Sequence, residues 1–180
     1  MMQQRYKIVF SGPMGAGKSQ AISSISETAV FATEVLNTDQ DAHQKMLTTV
    51  GIDYGEITLD DQTKIALFGT PGQERFQFIW PIVSQGALSV IILIDHTAYN
   101  PLEDLAIYLG EFSARIPHVV IGVTHVDGMP ERPMSIYRDW LTEQGLSYPL
   151  FAIDARKRED VLLLIESIIA SFEAKISMSS

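Results

Sequence analysis

The sequence predicts an α/β fold: a mostly parallel six-stranded sheet with one antiparallel strand, covered by helices on both faces as a three-layer sandwich. Three observations predict it. Short apolar runs alternate with amphipathic stretches from end to end, the first run leads directly into a glycine-rich loop that opens a helix, and one adjacent pair of runs is joined by a hairpin. The 180 residues, 46% of them hydrophobic, suffice for one domain with a buried core.

Taken in order, Tyr6–Phe10 reads as a buried strand, followed by GPMGAGKS, Gly12–Ser19, at the start of a helix. The stretch Asn37–Thr49 is polar, unpatterned and too long for a tight turn, so it reads as a functional loop. Gly51–Leu59 and Thr63–Phe68 form the antiparallel pair, joined through a turn that contains DDQ. Ala87–Ile94, Val119–Val123 and Leu150–Ile153 are the remaining strands, buried on both faces. Helical patterns cover Leu102–Arg115, Met134–Gln144 and Glu159–Ile176. In the last, Val161, Leu164, Ile168, Phe172 and Ile176 share helical spacing, with Asp154 and Asp160 upstream as candidate caps. No repeat, linker or low-complexity segment interrupts this rhythm, and a single domain over 1–180 is expected.

Composition narrows the function. A net charge of -9 argues against a phosphate-backbone partner, so no nucleic acid is expected. The absence of cysteine excludes disulfides, thiolate metal sites, thiol nucleophiles and thiol lipidation. The opening MMQQRYKIVF lacks a signal-peptide pattern, Met2 excludes myristoylation, and the longest apolar stretch, Ala87–Ile94, is far too short to span a bilayer. The expectation is a soluble cytoplasmic protein with no direct membrane anchor.

GPMGAGKS fits G-x-x-x-x-G-K-[ST] in the strand–loop–helix context that such a loop requires. Its glycines let backbone N–H groups turn toward phosphate, at the positive end of the following helix. Gly12, Met14, Gly15, Ala16, Gly17, Lys18, Ser19 and Gln20 are therefore candidate phosphate-binding residues. Lys18 reaches the β- and γ-phosphates, and Ser19 supplies a magnesium ligand. The loop alone does not choose between GTP and ATP; it resembles that of small metabolite kinases as much as that of GTPases.

Further motifs follow in order: TTVGIDYGEI, then TPGQERF, THVD and DAR. Together they resemble the Ras-like small GTPase superfamily from Lys7 to about Ile169. More narrowly they are similar to the bacterial MglA-type members that work with roadblock-fold regulators. The resemblance implies a P-loop NTPase fold of the small GTPase kind, binding GTP or GDP with Mg²⁺. It implies that Thr49 (with Thr48 as a rival) is the switch I threonine, binding Mg²⁺ through its hydroxyl beside Ser19. Switch I would span about 37–49 and switch II about 69–84. Gly72 would offer its N–H to the γ-phosphate, and Gln73 would orient the attacking water, so Gln73, Lys18 and Gly72 form the catalytic set. Thr124, His125 and Asp127 match the base-recognition motif, Asp127 accepting from the guanine edge. Asp154, Ala155 and Arg156 match the loop whose central N–H bonds the guanine carbonyl.

The departures are as informative. Threonine replaces asparagine at Thr124, His125 replaces lysine, and Asp154 replaces serine. Gly69 stands where the resemblance calls for an aspartate that holds Mg²⁺ through a bound water. Loss of such a group costs about 10–100-fold in metal affinity. Asp95, Asp39 and Asp41 are candidate substitutes. No arginine lies between Lys18 and Thr49, Met14 would crowd an incoming arginine finger, and Arg75 is the sole nearby candidate in the same chain. Slow hydrolysis follows, because a finger is worth about 10³–10⁵ in rate.

TPGQ is, by the same resemblance, the sensor of the terminal phosphate, and Phe76, Phe78, Ile79, Trp80 and Ile82 form an apolar strip after it, divided between core packing and a partner surface. The resemblance implies a roadblock-fold regulator or GTPase-activating protein and effector proteins at the switches. His43, His96 and His118 have no metal-ligand spacing. Three readings remain: a slow GTP/GDP switch, a nucleotide-binding scaffold that does not hydrolyse, and a small-molecule P-loop kinase. The kinase would need an arginine-rich lid, and the arginines here are scattered.

Overall fold

The computed structural model describes residues 5–36 and 49–179, with backbone only for 31–36 and 49–50. Asp39, Asp41, His43 and Thr48 lie outside the described residues, as does most of the segment read as switch I.

A central sheet runs in the order β2-β3-β4-β1-β5-β6-β7. Its strands are β1 (Arg5–Ser11), β2 (Phe31–Leu36), β3 (Thr49–Thr58), β4 (Lys64–Gly69), β5 (Ser89–Asp95), β6 (His118–Thr124) and β7 (Leu150–Ala152). All six strands read from the sequence are present, and β2 adds a seventh at the edge. β3 alone runs against its neighbours, pairing antiparallel with β2 and β4, while the other pairs are parallel. β2 escapes a sequence reading because its apolar residues in FATEVL do not alternate cleanly. It is held by its ladder to β3 on one side only.

Among the described residues five α-helices cover the sheet: α1 (Lys18–Ile25), α2 (Trp80–Ser84), α3 (Pro101–Ser113), α4 (Ser135–Glu143) and α5 (Arg158–Met178). Strand side chains alternate, so each face has its own core. On one face Val9, Ile92, Ile94 and Ile121 pack against Leu105, Leu109 and Phe112 of α3 and Tyr137 and Leu141 of α4. On the other, Ile8, Phe10, Ile91 and Leu93 meet Ile22 and Ile25 of α1 and Val161, Leu164 and Ile168 of α5. β5 lies between β1 and β6 and is buried along nearly its whole length, which explains its unbroken apolar sequence. α3 starts at Asn100, whose side chain accepts from the Glu103 N–H, with Pro101 in the first turn. Of the two aspartates expected near the start of α5, Asp160 accepts from the Asp154 N–H at 2.8 Å and closes the turn. Among the described residues no helix is long and apolar enough to cross a membrane.

The apolar strip after the sensor divides. Ile79 and Trp80 are fully buried, Trp80 with its ring 5.0 Å from Tyr108 and 5.3 Å from Phe112. Phe76 and Phe78 are half-buried and Ile82 is exposed.

Candidate functional site

Parallel strands bring their C-terminal ends to one edge, and the loops leaving that edge build the site. After β1 comes the loop Gly12–Gly17, after β4 the sensor, after β6 the residues His125–Asp127, and after β7 the loop Ile153–Arg156. They enclose two adjoining hollows. One, of about 530 Å³, is lined by Met14, Gly15, Lys18, Ser19, Asp53 and Gly72 among others. The second, of about 700 Å³, is lined by His125, Asp127, Asp154, Ala155 and Arg156 among others. Gly17 and Gln20 line both, so the hollows form one cleft.

The glycine-rich loop is shaped by close approach. Gly12 has φ 141°, and a Cβ there would lie 2.1 Å from the Leu93 carbonyl oxygen, so only glycine lets the loop leave β1 across β5. Lys18 is buried and donates from Nζ to the carbonyls of Gly12 at 2.6 Å and Pro13 at 2.7 Å. Burial draws its pKa down to about 8, opposed in part by the Asp53 charge. The Ser19 hydroxyl donates to the Asp53 carboxylate. These are hard oxygen donors beside a phosphate-shaped loop, and they fit Mg²⁺. Among the described residues no group of three or more His, Cys, Asp or Glu could hold a metal unaided. Thr49 opens β3.

The sensor meets this loop directly. Thr70 is buried, its hydroxyl 2.8 Å from Ser11 Oγ and its N–H bonded to the Phe10 carbonyl at 2.9 Å. Gly72 approaches so closely that a Cβ there would lie 2.4 Å from the Met14 nitrogen. Gln73 does not line the hollow; its Oε1 accepts from Arg75 Nε at 2.7 Å, and the Arg75 guanidinium lies over the Phe76 ring. Met14 is 70% exposed at the mouth.

On the other side of the cleft, Thr124 is buried and does not line the hollow. Its hydroxyl donates to the Ala16 carbonyl at 2.9 Å and approaches the Ile94 carbonyl at 3.3 Å, clamping the glycine-rich loop to the ends of β5 and β6. His125 takes a left-handed turn at φ 57° and sets Nδ1 3.1 Å from Asp95. Asp127 follows, exposed in a 3-10 turn. Asp154 is forked onto Arg156, Oδ1 accepting from Nε at 2.9 Å and Oδ2 from a terminal nitrogen at 2.8 Å. Those bonds hold its carboxyl well below the usual carboxylate range. Ala155 is buried against Gly17, where a Cβ would lie 3.1 Å from the alanine methyl.

One expectation changes, and one residue is new. Asp95 does not face the phosphate hollow; it accepts from the Thr97 N–H at 2.8 Å, from the Thr97 hydroxyl at 2.7 Å, and faces His125. Burial pushes its carboxyl up, but these bonds outweigh burial and hold it below its ordinary range. The carboxylate that does face the hollow is Asp53. The sequence carried a sign of it in GIDYG, glycines at alternate positions around an aspartate in a strand, which mark close backbone approach. His96 is a satisfied core histidine, bonded to Tyr137 Oη at 2.8 Å and the Arg132 carbonyl at 3.0 Å.

A strand, a glycine-rich loop with its buried lysine, and a second strand laid against that loop have the arrangement of a P-loop nucleotide-binding site. A family described as "conserved hypothetical ATP binding protein" matches residues 28–178, beginning after the loop itself. The chain belongs to that family. It is also similar to the Ras-related protein Rab-18 of Caenorhabditis briggsae, 26% identical over 91% of this chain and 78% of that one. The Ras-related protein Rab-3B of Homo sapiens is 25% identical over 74% of this chain and 64% of its own length. An uncharacterized protein of Methanocaldococcus jannaschii is 37% identical over 39% of this chain and 45% of its own. The chain thus spans less than two thirds of the latter two relatives.

Proposed function

We propose that residues 1–180 form one domain that binds guanine nucleotide with Mg²⁺ and works as a switch with slow GTP hydrolysis. The observation that carries this reading is the single cleft. It joins the Lys18–Ser19 phosphate loop to a hollow lined by Asp127 and Ala155. A carboxylate is an acceptor only, so Asp127 pairs with the two adjacent donors of guanine, which adenine lacks. The Ala155 N–H takes the guanine carbonyl, and the His125 ring lies beside the base.

In the phosphate hollow, Lys18 carries the cation to the β- and γ-phosphates, and backbone N–H groups of residues 15–20 surround the oxygens. Ser19 and Thr49 hold Mg²⁺, which when bound neutralises charge on the phosphate oxygens. Gly72 offers its N–H to the terminal phosphate, and Gln73 releases Arg75 to orient a water. Switch I, about 37–49, and switch II, about 69–84, present the nucleotide state to effectors and to a GTPase-activating protein. A roadblock-fold regulator and the narrower bacterial MglA-type likeness rest on the sequence motifs, whereas the relatives reported above are an archaeal protein and animal Rab proteins.

The family description favours a second reading in which ATP is the ligand. One variant separates them. Asp127→Asn should lose affinity for GDP by about 1–3 kcal/mol and gain xanthosine diphosphate, as a donor replaces an acceptor opposite the base edge. Calorimetry with GDP, XDP and ADP reads this. Unchanged GDP affinity in the variant, or tighter ADP than GDP in the wild type, would sink the guanine reading.

A further inference from the structure

The carboxylate missing at Gly69 is present one strand away. Asp53 of β3 stands directly opposite Gly69 of β4 in the antiparallel register. A Cβ at Gly69 would lie 3.2 Å from Asp53 Cβ and 3.4 Å from its Oδ2. Asp53 therefore fills the space that an aspartate rooted at 69 would need. Two carboxylates crowded together would repel each other, and the Gly69–Asp53 pair keeps one.

Helix α1 is set low enough to use it. A Cβ at Gly55 would meet Ser26 Oγ at 2.7 Å and Ile22 Cγ2 at 2.9 Å, and one at Gly69 would meet Ile22 Cδ1 at 3.0 Å. Glycines on both strands let Ile22 settle onto β3 and β4. Ser19 lies three residues before Ile22, on the same helix face, and so its hydroxyl reaches the Asp53 carboxylate. The carboxylate also faces the Lys18 ammonium closely enough to favour its charge.

We propose that Asp53 is the metal-associated carboxylate of the phosphate site, supplying from β3 the group that Gly69 lacks on β4 and holding Mg²⁺ together with Ser19. This deepens the switch reading and rests on its nucleotide-bound ion, but not on the identity of the base. The ion then ties α1 to β3, the strand that begins at Thr49, instead of to β4.

The test uses the full chain loaded with fluorescent N-methylanthraniloyl GDP, and separately with the ADP analogue. Release is timed while Mg²⁺ is raised from chelator excess to millimolar. Asp53→Asn keeps the acceptor for Ser19 and removes the charge. It should raise the Mg²⁺ midpoint about 10–100-fold, leaving release in chelator unchanged. Asp61→Asn, in the β3–β4 turn, should track the wild type. A second pair, Asp53→Ala alone and with Gly69→Asp, should lose the midpoint and then recover it, which keeps the idea testable if Asn disturbs folding. An unchanged midpoint in Asp53→Asn, release accelerated equally with and without Mg²⁺, or wild-type release indifferent to Mg²⁺ would each overturn the assignment. Equal handling of GDP and ADP would fault the guanine reading alone, because the midpoint is read with either nucleotide.

Discussion

Lys18 is an ammonium held among the carbonyls of Gly12 and Pro13 at 2.6 and 2.7 Å, with Asp53 as its nearest counter-charge. Burial lowers its pKa from 10.5 to about 8, so the fold without ligand disfavours the proton. The sign follows. Below about pH 8 the lysine is charged folded and unfolded, and the cost of burying it is fully present. Between about 8 and 10.5 the unfolded chain binds more protons, so this cost fades as pH rises. A polyphosphate in the cleft favours the charged form, so binding at about pH 9 should take up a proton that binding at about pH 6.5 does not. Calorimetry in two buffers of different ionisation enthalpy measures that uptake. It should vanish in any residual binding by Lys18→Met, and equal uptake in that variant would assign the proton elsewhere.

Between elements, the decisive tie is Thr124, which joins the end of β6 to the glycine-rich loop through the Ala16 carbonyl. Ala16 is fully buried, so Thr124→Val leaves a carbonyl without a partner at a cost of about 1–3 kcal/mol. Urea unfolding should show that loss, Thr124→Ser should restore most of it, and nucleotide affinity should fall with the valine variant. A valine variant equal to the wild type in both would remove the clamp from the account. This tie also marks the limit of sequence reading. β5 was legible because burial on both faces demands an unbroken apolar run, and the β3–β4 hairpin because its turn residues interrupt two such runs. The glycine-rich loop was legible because phosphate binding fixes residue types at fixed spacing. The place of Asp53 was not, nor was the clamping contact of Thr124, which was read only as part of a base-recognition motif, since each acts on a residue far away in sequence: Ser19 for one, Ala16 for the other. β2 was missed for a related reason, its stability residing in a partner strand and not in its own pattern. Trp80 followed the sensor like a partner-facing residue, yet the aromatic rings of α3 supply a place for it inside.

Across the whole molecule, a net charge of -9 leaves cations scarce, and the arginines with described partners are engaged outside the hollow that Lys18 lines. Arg5 pairs with Glu56, Arg115 with Glu111 and Arg156 with Asp154, while Arg132, Arg138 and Arg158 donate to main-chain carbonyls. Arg75 is bonded to Gln73 and laid over Phe76. Among the described residues, Lys18 is the cation that lines the phosphate hollow. A transition state that spreads charge over the terminal phosphate is then under-neutralised, and an arginine delivered by another molecule is worth about 10³–10⁵ in rate. Single-turnover hydrolysis by the isolated chain should therefore be slow, and Arg75→Ala should change it less than about tenfold, since a finger is worth far more. The same substitution should free Gln73 from its Arg75 bond, so a gain within that range fits as well as a loss. A loss of about 10³-fold in Arg75→Ala would instead make Arg75 a finger within the chain, swinging off Phe76 when nucleotide binds, and would remove the need for a partner's arginine.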